Sequence, residues 1–115
     1  MIKRADEYEL QPREAVRGGE GTALFTHLLS ADERPGASRL FATITLPPDA
    51  SIGVHSHEGE TEVFYVLQGF AEYNDNGKMV TIEEGDTAAC ASGESHGIKN
   101  IGQEELVLMA VIISD

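Results

Sequence analysis

The chain has 115 residues and a formal net charge of −12, which together indicate a single acidic domain. A surface of this charge repels phosphate backbones and anionic lipids, so we expect neither a nucleic-acid partner nor a membrane partner. No apolar run approaches the roughly 18 residues of a membrane-spanning helix. The N-terminal residues are too acidic for a signal peptide, and the single cysteine, Cys90, cannot form an internal disulfide. These features favour a cytoplasmic protein.

The apolar residues follow the pattern of β-strands along most of the chain. Residues 5–15 have room for one helical turn, which Pro12 interrupts. Further along, apolar residues alternate with threonine or form short β-branched runs, as strands do. The segments with these patterns are 21–30, 39–46, 62–68 and 105–113. Asn76 and Gly77 supply the positive φ angles of a tight hairpin turn.

Many short strands with frequent turn signals predict an all-β sandwich or barrel. We expect a single domain over residues 1–115, with its core barrel at about 20–113. The last strand, at 106–113, is apolar on both faces. One face can enter the core, and the other needs cover from the N-terminal segment or from a second subunit. We favour the second subunit and therefore a homodimer.

The stretch "HSHEGETE" contains the residues most suited to bind a metal. On a strand, His55 and His57 point to the same side, so both imidazoles can reach one cation. We expect the next strand to begin near Glu62 and to run back beside the first, so Glu62 can add a carboxylate from a neighbouring strand, and His96 offers a third imidazole. Such a set suits a transition metal. The alternative is that two histidines at this spacing belong to a solvated strand face.

Two motifs resemble those of the cupin superfamily, in its small single-domain form. The first, within residues 49–69, contains His55, His57, Glu62 and Gly69 at the family's spacing. The second, within residues 85–100, contains Gly85, Gly93, His96 and Asn100 at the family's spacing. The sequence departs from the pattern at Asp49, where cupins usually have glycine, and at Ala91, where they have proline. Since neither position carries a ligand, we expect little consequence for the site.

The resemblance implies a double-stranded β-helix, or jelly-roll, with one divalent metal near a mouth of the barrel. The implied ligands are His55, His57, Glu62 and His96. Four protein ligands leave two positions of an octahedral ion open, which suits Mn, Fe, Ni or Co, although Zn can also bind. Asn100 is expected to hold backbone segments together.

Other side chains have expected roles that follow from their neighbours. Phe64 and Val66 share the strand phase of Glu62, and Ile98 shares that of His96, so they are candidates to line the cavity or to fill the core. Phe41 is a further candidate whose inward face the sequence does not define. Candidates for catalytic side chains are Glu62 and Arg39, the latter as a partner for an anionic substrate. Roles in turns, in the sheet or in the core are expected for Glu58, Glu60, Glu94, His27 and Cys90.

Three functions are compatible with the site, and we favour the first. The resemblance implies a metal-dependent dioxygenase, isomerase, cyclase or decarboxylase acting on a small organic substrate, because open metal positions polarise a carbonyl or activate dioxygen. The second function is non-catalytic binding of a small ligand or of the metal itself, as a sensor or sequestering module. The third is a metal that only stabilises the barrel. No general base is evident from the sequence.

Overall fold

The computed structural model describes all residues from 1 to 115 and contains ten β-strands and two short 3-10 helices. The strands are β1 (Glu9–Glu14), β2 (Thr22–His27), β3 (Ser38–Leu46), β4 (Ser51–Ser56), β5 (Glu60–Gln68), β6 (Phe70–Asp75), β7 (Lys78–Glu83), β8 (Thr87–Cys90), β9 (Ser95–Asn100) and β10 (Leu106–Ser114). The 3-10 helices span Ala5–Glu7 and Val16–Gly18. A helix with the length and apolar character needed to cross a membrane is absent.

The strands form two antiparallel sheets. The larger has the order β1-β2-β3-β10-β5-β8, and the smaller has the order β4-β9-β6-β7. Because every second residue of a strand points to the same side, each sheet presents an apolar inner face. On β10, for example, Leu106, Leu108, Ala110 and Ile112 are buried. Residues of both sheets meet in one apolar core. The predicted all-β, double-stranded β-helix architecture is confirmed.

Residues 5–15 differ from the sequence prediction. The helical turn is limited to Ala5–Glu7, and the following residues form β1, which runs through Pro12. Proline is tolerated there because β1 lies at the sheet edge and pairs only with β2. Since β1 is separated from β10 by β2 and β3, the N-terminal strand does not cover the outer face of β10.

Two turns position the strands that carry the site. Asp49, between β3 and β4, has a φ of 69°, a left-handed conformation that the cupin pattern usually assigns to glycine. Aspartate tolerates this region better than most residues, so the turn forms despite the departure. Asn76 and Gly77, with φ of 53° and 93°, form the expected hairpin between β6 and β7.

Asn100 is fully buried at the end of β9 and connects three backbone segments. Its Nδ2 donates hydrogen bonds to the carbonyl oxygens of Leu46, at 2.9 Å, and Glu104, at 2.8 Å. Its Oδ1 accepts a hydrogen bond from the Gly102 N–H at 2.9 Å. The side chain therefore holds the ends of β3 and β9 in place, as the sequence predicts.

Candidate metal centre

Four side chains from both sheets meet at the inner end of a cavity. His55 on β4 lies directly opposite His96 on β9, and His57 follows β4 by one residue. Glu62 comes from β5, which belongs to the other sheet. The sequence interpretation placed β5 beside β4; in the structure Glu62 instead reaches the histidines across the barrel.

The potential ligand atoms of these residues converge on one point. Glu62 Oε1 lies 3.0 Å from His96 Nε2, 3.1 Å from His57 Nε2 and 3.9 Å from His55 Nε2. All four ligand atoms lie within 4.8 Å of one another. Three of the side chains are buried, and His55 is partly buried. The group has the size and composition of a metal-binding cluster.

The far side of each imidazole is held by another group. His55 Nδ1 donates to the Gly53 carbonyl oxygen at 2.7 Å, and His57 Nδ1 lies 3.2 Å from Glu60 Oε1. His96 Nδ1 lies 2.8 Å from the Tyr73 hydroxyl. A carbonyl or carboxylate only accepts, so in the neutral rings the proton sits on Nδ1 of His55 and His57. Their Nε2 lone pairs then face the cluster.

Inward lone pairs and one carboxylate form a donor set that fits a divalent transition metal. Imidazole Nε2 atoms at this spacing repel one another unless a cation or a proton lies between them, and a metal ion satisfies all of them at once. Burial would raise the pKa of Glu62, but hydrogen bonding to His55 and His96 and the charges of His96 and His57, in the state where these imidazoles carry protons toward the cluster, lower it to about 2. The carboxylate is therefore ionised at neutral pH, as a metal ligand must be.

Glu60 has a larger role than the turn residue that the sequence suggested. It opens β5, and its carboxylate forms a two-pronged ion pair with Arg39, with both nitrogen–oxygen distances at 2.8 Å. The same carboxylate contacts His57 Nδ1. The Arg39 hydrogen bonds are the main reason that the pKa of Glu60 is lowered to about 2. Glu60 thus links a cavity arginine to a potential metal ligand. The only sequence signal for this role is the spacing of three residues between His57 and Glu60.

The cavity has a volume of about 160 Å³ and opens beside the cluster. His55, His57 and Glu62 lie in its lining. Its apolar wall consists of Val16, Phe25, Leu40, Ile44, Ile52 and Ile112. Three of the chain's five arginines, Arg13, Arg17 and Arg39, also line it. The cavity is therefore apolar on its walls and cationic at its rim.

The four candidates for the cavity lining lie outside it, and three of them have the core role that the sequence analysis gave as the alternative. Phe64, Val66 and Ile98 are buried in the apolar core, and the Phe64 ring stacks on His96 with the centroids 5.2 Å apart. Phe41 points away from the core, because on β3 its neighbours Leu40 and Ala42 point inward. Strand phase alone did not identify the lining. On β4 an irregularity between Ile52 and His55 places both of these residues inward despite their odd spacing.

The remaining candidates have structural roles. His27 Nε2 lies 2.9 Å from Gln11 Oε1 on the neighbouring strand, and His27 does not line the cavity. Cys90 is buried, and this burial raises the pKa of its thiol to about 11, so it is a poor nucleophile. Glu94 accepts hydrogen bonds from the Ala91 N–H in its own turn and from Asn76 Nδ2 in the turn between β6 and β7. Glu58 is exposed.

Tyr73 is a site residue that the sequence analysis missed. It lies on β6, is buried, and contacts His96 on the adjacent β9. Burial, followed by nearby acidic groups, raises the pKa of its hydroxyl, which stays protonated. No motif marks Tyr73, because its contact depends on the pairing of β6 with β9.

A double-stranded β-helix with a three-histidine, one-glutamate cluster inside one end defines a class of protein. The family model described as "Cupin domain" matches residues 42–112, and the chain belongs to this family. It is 44% identical, over 98% of its length and 93% of the relative's, to an oxalate-binding protein of Thermotoga maritima.

Solved structures show the same fold. The crystal structure of a predicted oxalate decarboxylase from Thermotoga maritima superposes with a TM-score of 0.94 at 43% identity, with full coverage of both chains. An uncharacterized protein with a double-stranded β-helix domain from Klebsiella pneumoniae superposes with a TM-score of 0.74 at 24% identity, covering 98% of this chain and 89% of that one. The second likeness concerns the fold alone.

Proposed function

We propose that this cupin binds a small dicarboxylate, with oxalate as the first candidate, at a metal held by His55, His57, Glu62 and His96. The observation that carries the proposal is the position of the cluster at the inner end of a cavity rimmed by arginines. A cluster that served only to stabilise the barrel would need no such cavity.

In this proposal the metal and the protein side chains contribute to ligand binding in different ways. When bound, the metal would supply a Lewis acid with open positions for carboxylate oxygens. The chain's own residues hold the imidazoles in one orientation through Gly53, Glu60 and Tyr73. The apolar wall limits the water around the ligand, which strengthens its electrostatic contacts.

Charge and similarity both support an anionic ligand. Arginine presents planar donors that match carboxylate geometry, and the cavity is lined by three arginines in a chain of net charge −12. The Thermotoga relative at 44% identity carries the name oxalate-binding protein. With about 160 Å³ available, the cavity suits a ligand of a few heavy atoms.

Binding is favoured over turnover because the cavity offers few groups for proton transfer. Apart from the cluster, its ionisable side chains are arginines, which stay protonated. Glu60, beside the cluster, is already engaged by Arg39 and His57. Decarboxylation of oxalate is the second candidate, supported by the description of the Thermotoga structure as a predicted oxalate decarboxylase. In that reaction Glu62 and Arg39 would be the first residues to test.

Metal analysis and calorimetry test the proposal together. We expect purified protein incubated with Mn, Fe, Ni, Co or Zn to retain about one ion per chain, and the metal-loaded form to bind oxalate. Chelator-treated protein should bind none. His55→Ala and His96→Ala should lose the metal, whereas His27→Ala, outside the cluster, should keep it. Protein that stays metal-free with all five ions would contradict the proposal.

Turnover is measured on the same samples. Carbon-13 oxalate followed by NMR would give formate and carbon dioxide if the protein is a decarboxylase. Oxalate that binds but persists supports the binding function. A metal-loaded protein that binds no dicarboxylate, and unfolds on chelation, would instead support a purely structural metal.

We also propose a homodimer formed through the outer face of the larger sheet. On β10 this face presents Val107, Met109 and Val111, all partly exposed, and on β5 it presents the exposed Tyr65 and Leu67. β10 and β5 are adjacent, so these residues form a continuous apolar surface. A second copy of the chain is the occupant that the sequence analysis favoured. A cytoplasmic location, in keeping with the single buried cysteine, is part of the same proposal.

A further inference from the structure

Two arginines at the cavity lack an acidic partner. Arg13 and Arg17 both line the cavity, and neither guanidinium group forms a hydrogen bond or an ion pair with another side chain or with the backbone. The Arg13 guanidinium lies over an aromatic face, 5.0 Å from the Phe25 ring centroid. By contrast, Arg39 is paired with Glu60. In a chain with 20 acidic residues, two unpaired cations at one cavity mouth call for an explanation.

The segment that carries Arg17 is held firmly in place. We call residues 15–21, between β1 and β2, the strap. Its backbone packs directly on β4, where a Cβ on Gly19 would overlap the Ser51 carbonyl oxygen and one on Gly53 would overlap the Arg17 carbonyl oxygen. The Ser51 N–H donates to the Glu20 carbonyl oxygen at 2.9 Å. The position of Arg17 beside the cavity is therefore built into the fold.

The backbone of the strap adopts conformations that are uncommon for its residues. Arg17 has φ of 54° and ψ of 32°, and Ala15 has φ of 49°. Non-glycine residues rarely occupy this left-handed region unless the surrounding structure requires it. The conformation places Val16 in the core and in the cavity wall, while Arg17 stays exposed at the rim.

We infer that Arg13 and Arg17 are specificity-determining residues that recognise the outer carboxylate oxygens of a dianionic ligand. The inference rests on the proposed function and deepens it. A small dicarboxylate that reaches the buried cluster leaves carboxylate oxygens directed toward the mouth, where the two guanidinium groups lie. Charge-assisted hydrogen bonds from arginine match these oxygens in geometry and sign. A chelating monoanion such as glycolate directs fewer carboxylate oxygens toward the mouth and carries less charge, so it gains less from the rim.

The test compares oxalate with glycolate, a monoanion of similar size that can also chelate a metal. Binding of both to metal-loaded protein is measured by calorimetry in wild type, in Arg13→Gln/Arg17→Gln and in Lys78→Gln/Lys99→Gln. The lysine variant loses the same charge at exposed positions outside the cavity. Metal content is determined on every sample.

We expect Arg13→Gln/Arg17→Gln to keep its metal and to bind oxalate about tenfold or more weakly. Glycolate binding should weaken much less, and the lysine variant should match wild type. Arg13→Lys/Arg17→Lys should recover part of the oxalate affinity, because it restores charge without the planar donors.

The outcomes that overturn the inference are separate from those that overturn the proposed function. Unchanged oxalate affinity in Arg13→Gln/Arg17→Gln, or an equal loss for oxalate and glycolate, would overturn the rim assignment while leaving the metal-dependent binding intact. Wild-type protein that holds metal but binds neither oxalate nor malonate would overturn both.

Discussion

At the scale of single residues, the cluster depends on neighbouring groups that contact the outer nitrogens of its histidines. Gly53, Glu60 and Tyr73 each contact Nδ1 of one imidazole and so leave its Nε2 directed at the cluster. Such contacts would orient these side chains for a metal ion and raise the basicity of the nitrogens that face the cluster. Glu60 is the most informative of the three, because it is also the ion-pair partner of Arg39.

Replacing Glu60 tests this orienting role. We expect Glu60→Ala to weaken metal affinity about 10- to 100-fold, because His57 loses its outer partner. The metal-free protein should lose only about 0.2–1 kcal/mol of stability, since the Arg39 side chain of the pair is 54% exposed.

A competition titration with a chromogenic chelator gives the affinity, and urea unfolding gives the stability. Glu58→Ala, two residues away and exposed, is the matched control and should behave as wild type. A loss of stability without a loss of metal affinity would show that Glu60 serves only the Arg39 pair.

At the scale of elements, β4 and the strap act as one unit. Gly53 is the point of closest approach, and its carbonyl oxygen accepts the His55 Nδ1 hydrogen bond while its Cα faces the strap. A side chain here would push the strap and β4 apart. The same change would disturb a potential metal ligand and the cavity rim together.

Gly53→Ala measures this coupling. The added methyl group overlaps the Arg17 carbonyl oxygen, so we expect about 1–3 kcal/mol of destabilisation in urea unfolding, together with weaker metal binding. Gly36→Ala is the matched control, because a Cβ at Gly36 meets no atom within 4 Å. Equal stability of the two variants would contradict the close packing of strap and strand.

At the scale of the whole molecule, the cluster joins the two sheets. His55, His57 and His96 come from the smaller sheet or its margin, and Glu62 comes from the larger one. An ion held by all four would bind the folded chain and not the unfolded one, so it adds to stability by mass action.

Metal removal should therefore lower the melting temperature. At free metal about 100 times its Kd, we expect a stabilisation of about 2.7 kcal/mol, which is lost on chelation. Differential scanning calorimetry of loaded and chelated protein gives the shift, and His96→Ala should show none. A loaded wild type that melts at the temperature of the chelated form would contradict the shared site.

The apolar outer face of the larger sheet leads to a separate prediction about the oligomeric state. If a second copy covers it, light scattering should give twice the 12.4 kDa chain mass, and Tyr65→Lys/Leu67→Lys should shift the protein to the single-chain mass. Met79→Lys, an exposed apolar residue on β7 of the other sheet, should leave the mass unchanged. A wild type that is monomeric at micromolar concentration would reject the dimer.

Sequence reasoning reached the fold and the four clustered residues through local signals. Strand periodicity and turn residues such as Asn76-Gly77 depend on neighbours in the chain, so they can be interpreted without coordinates. The motif spacing selected Glu62 from several nearby glutamates. The cavity lining could not be obtained in this way, as Phe41 and Phe64 illustrate, because it depends on strand pairing and on an irregularity in β4.

The sequence by itself determined that the chain forms a β-barrel and that His55, His57, Glu62 and His96 belong together. Only the tertiary structure decided that Glu62 approaches from the opposite sheet, that Glu60 and Tyr73 support the imidazoles, and that Arg13 and Arg17 stand at the cavity mouth. The physical reason is distance along the chain. Side-chain alternation is a local property of a strand, whereas the contacts of a site arise from which strands and loops pack together.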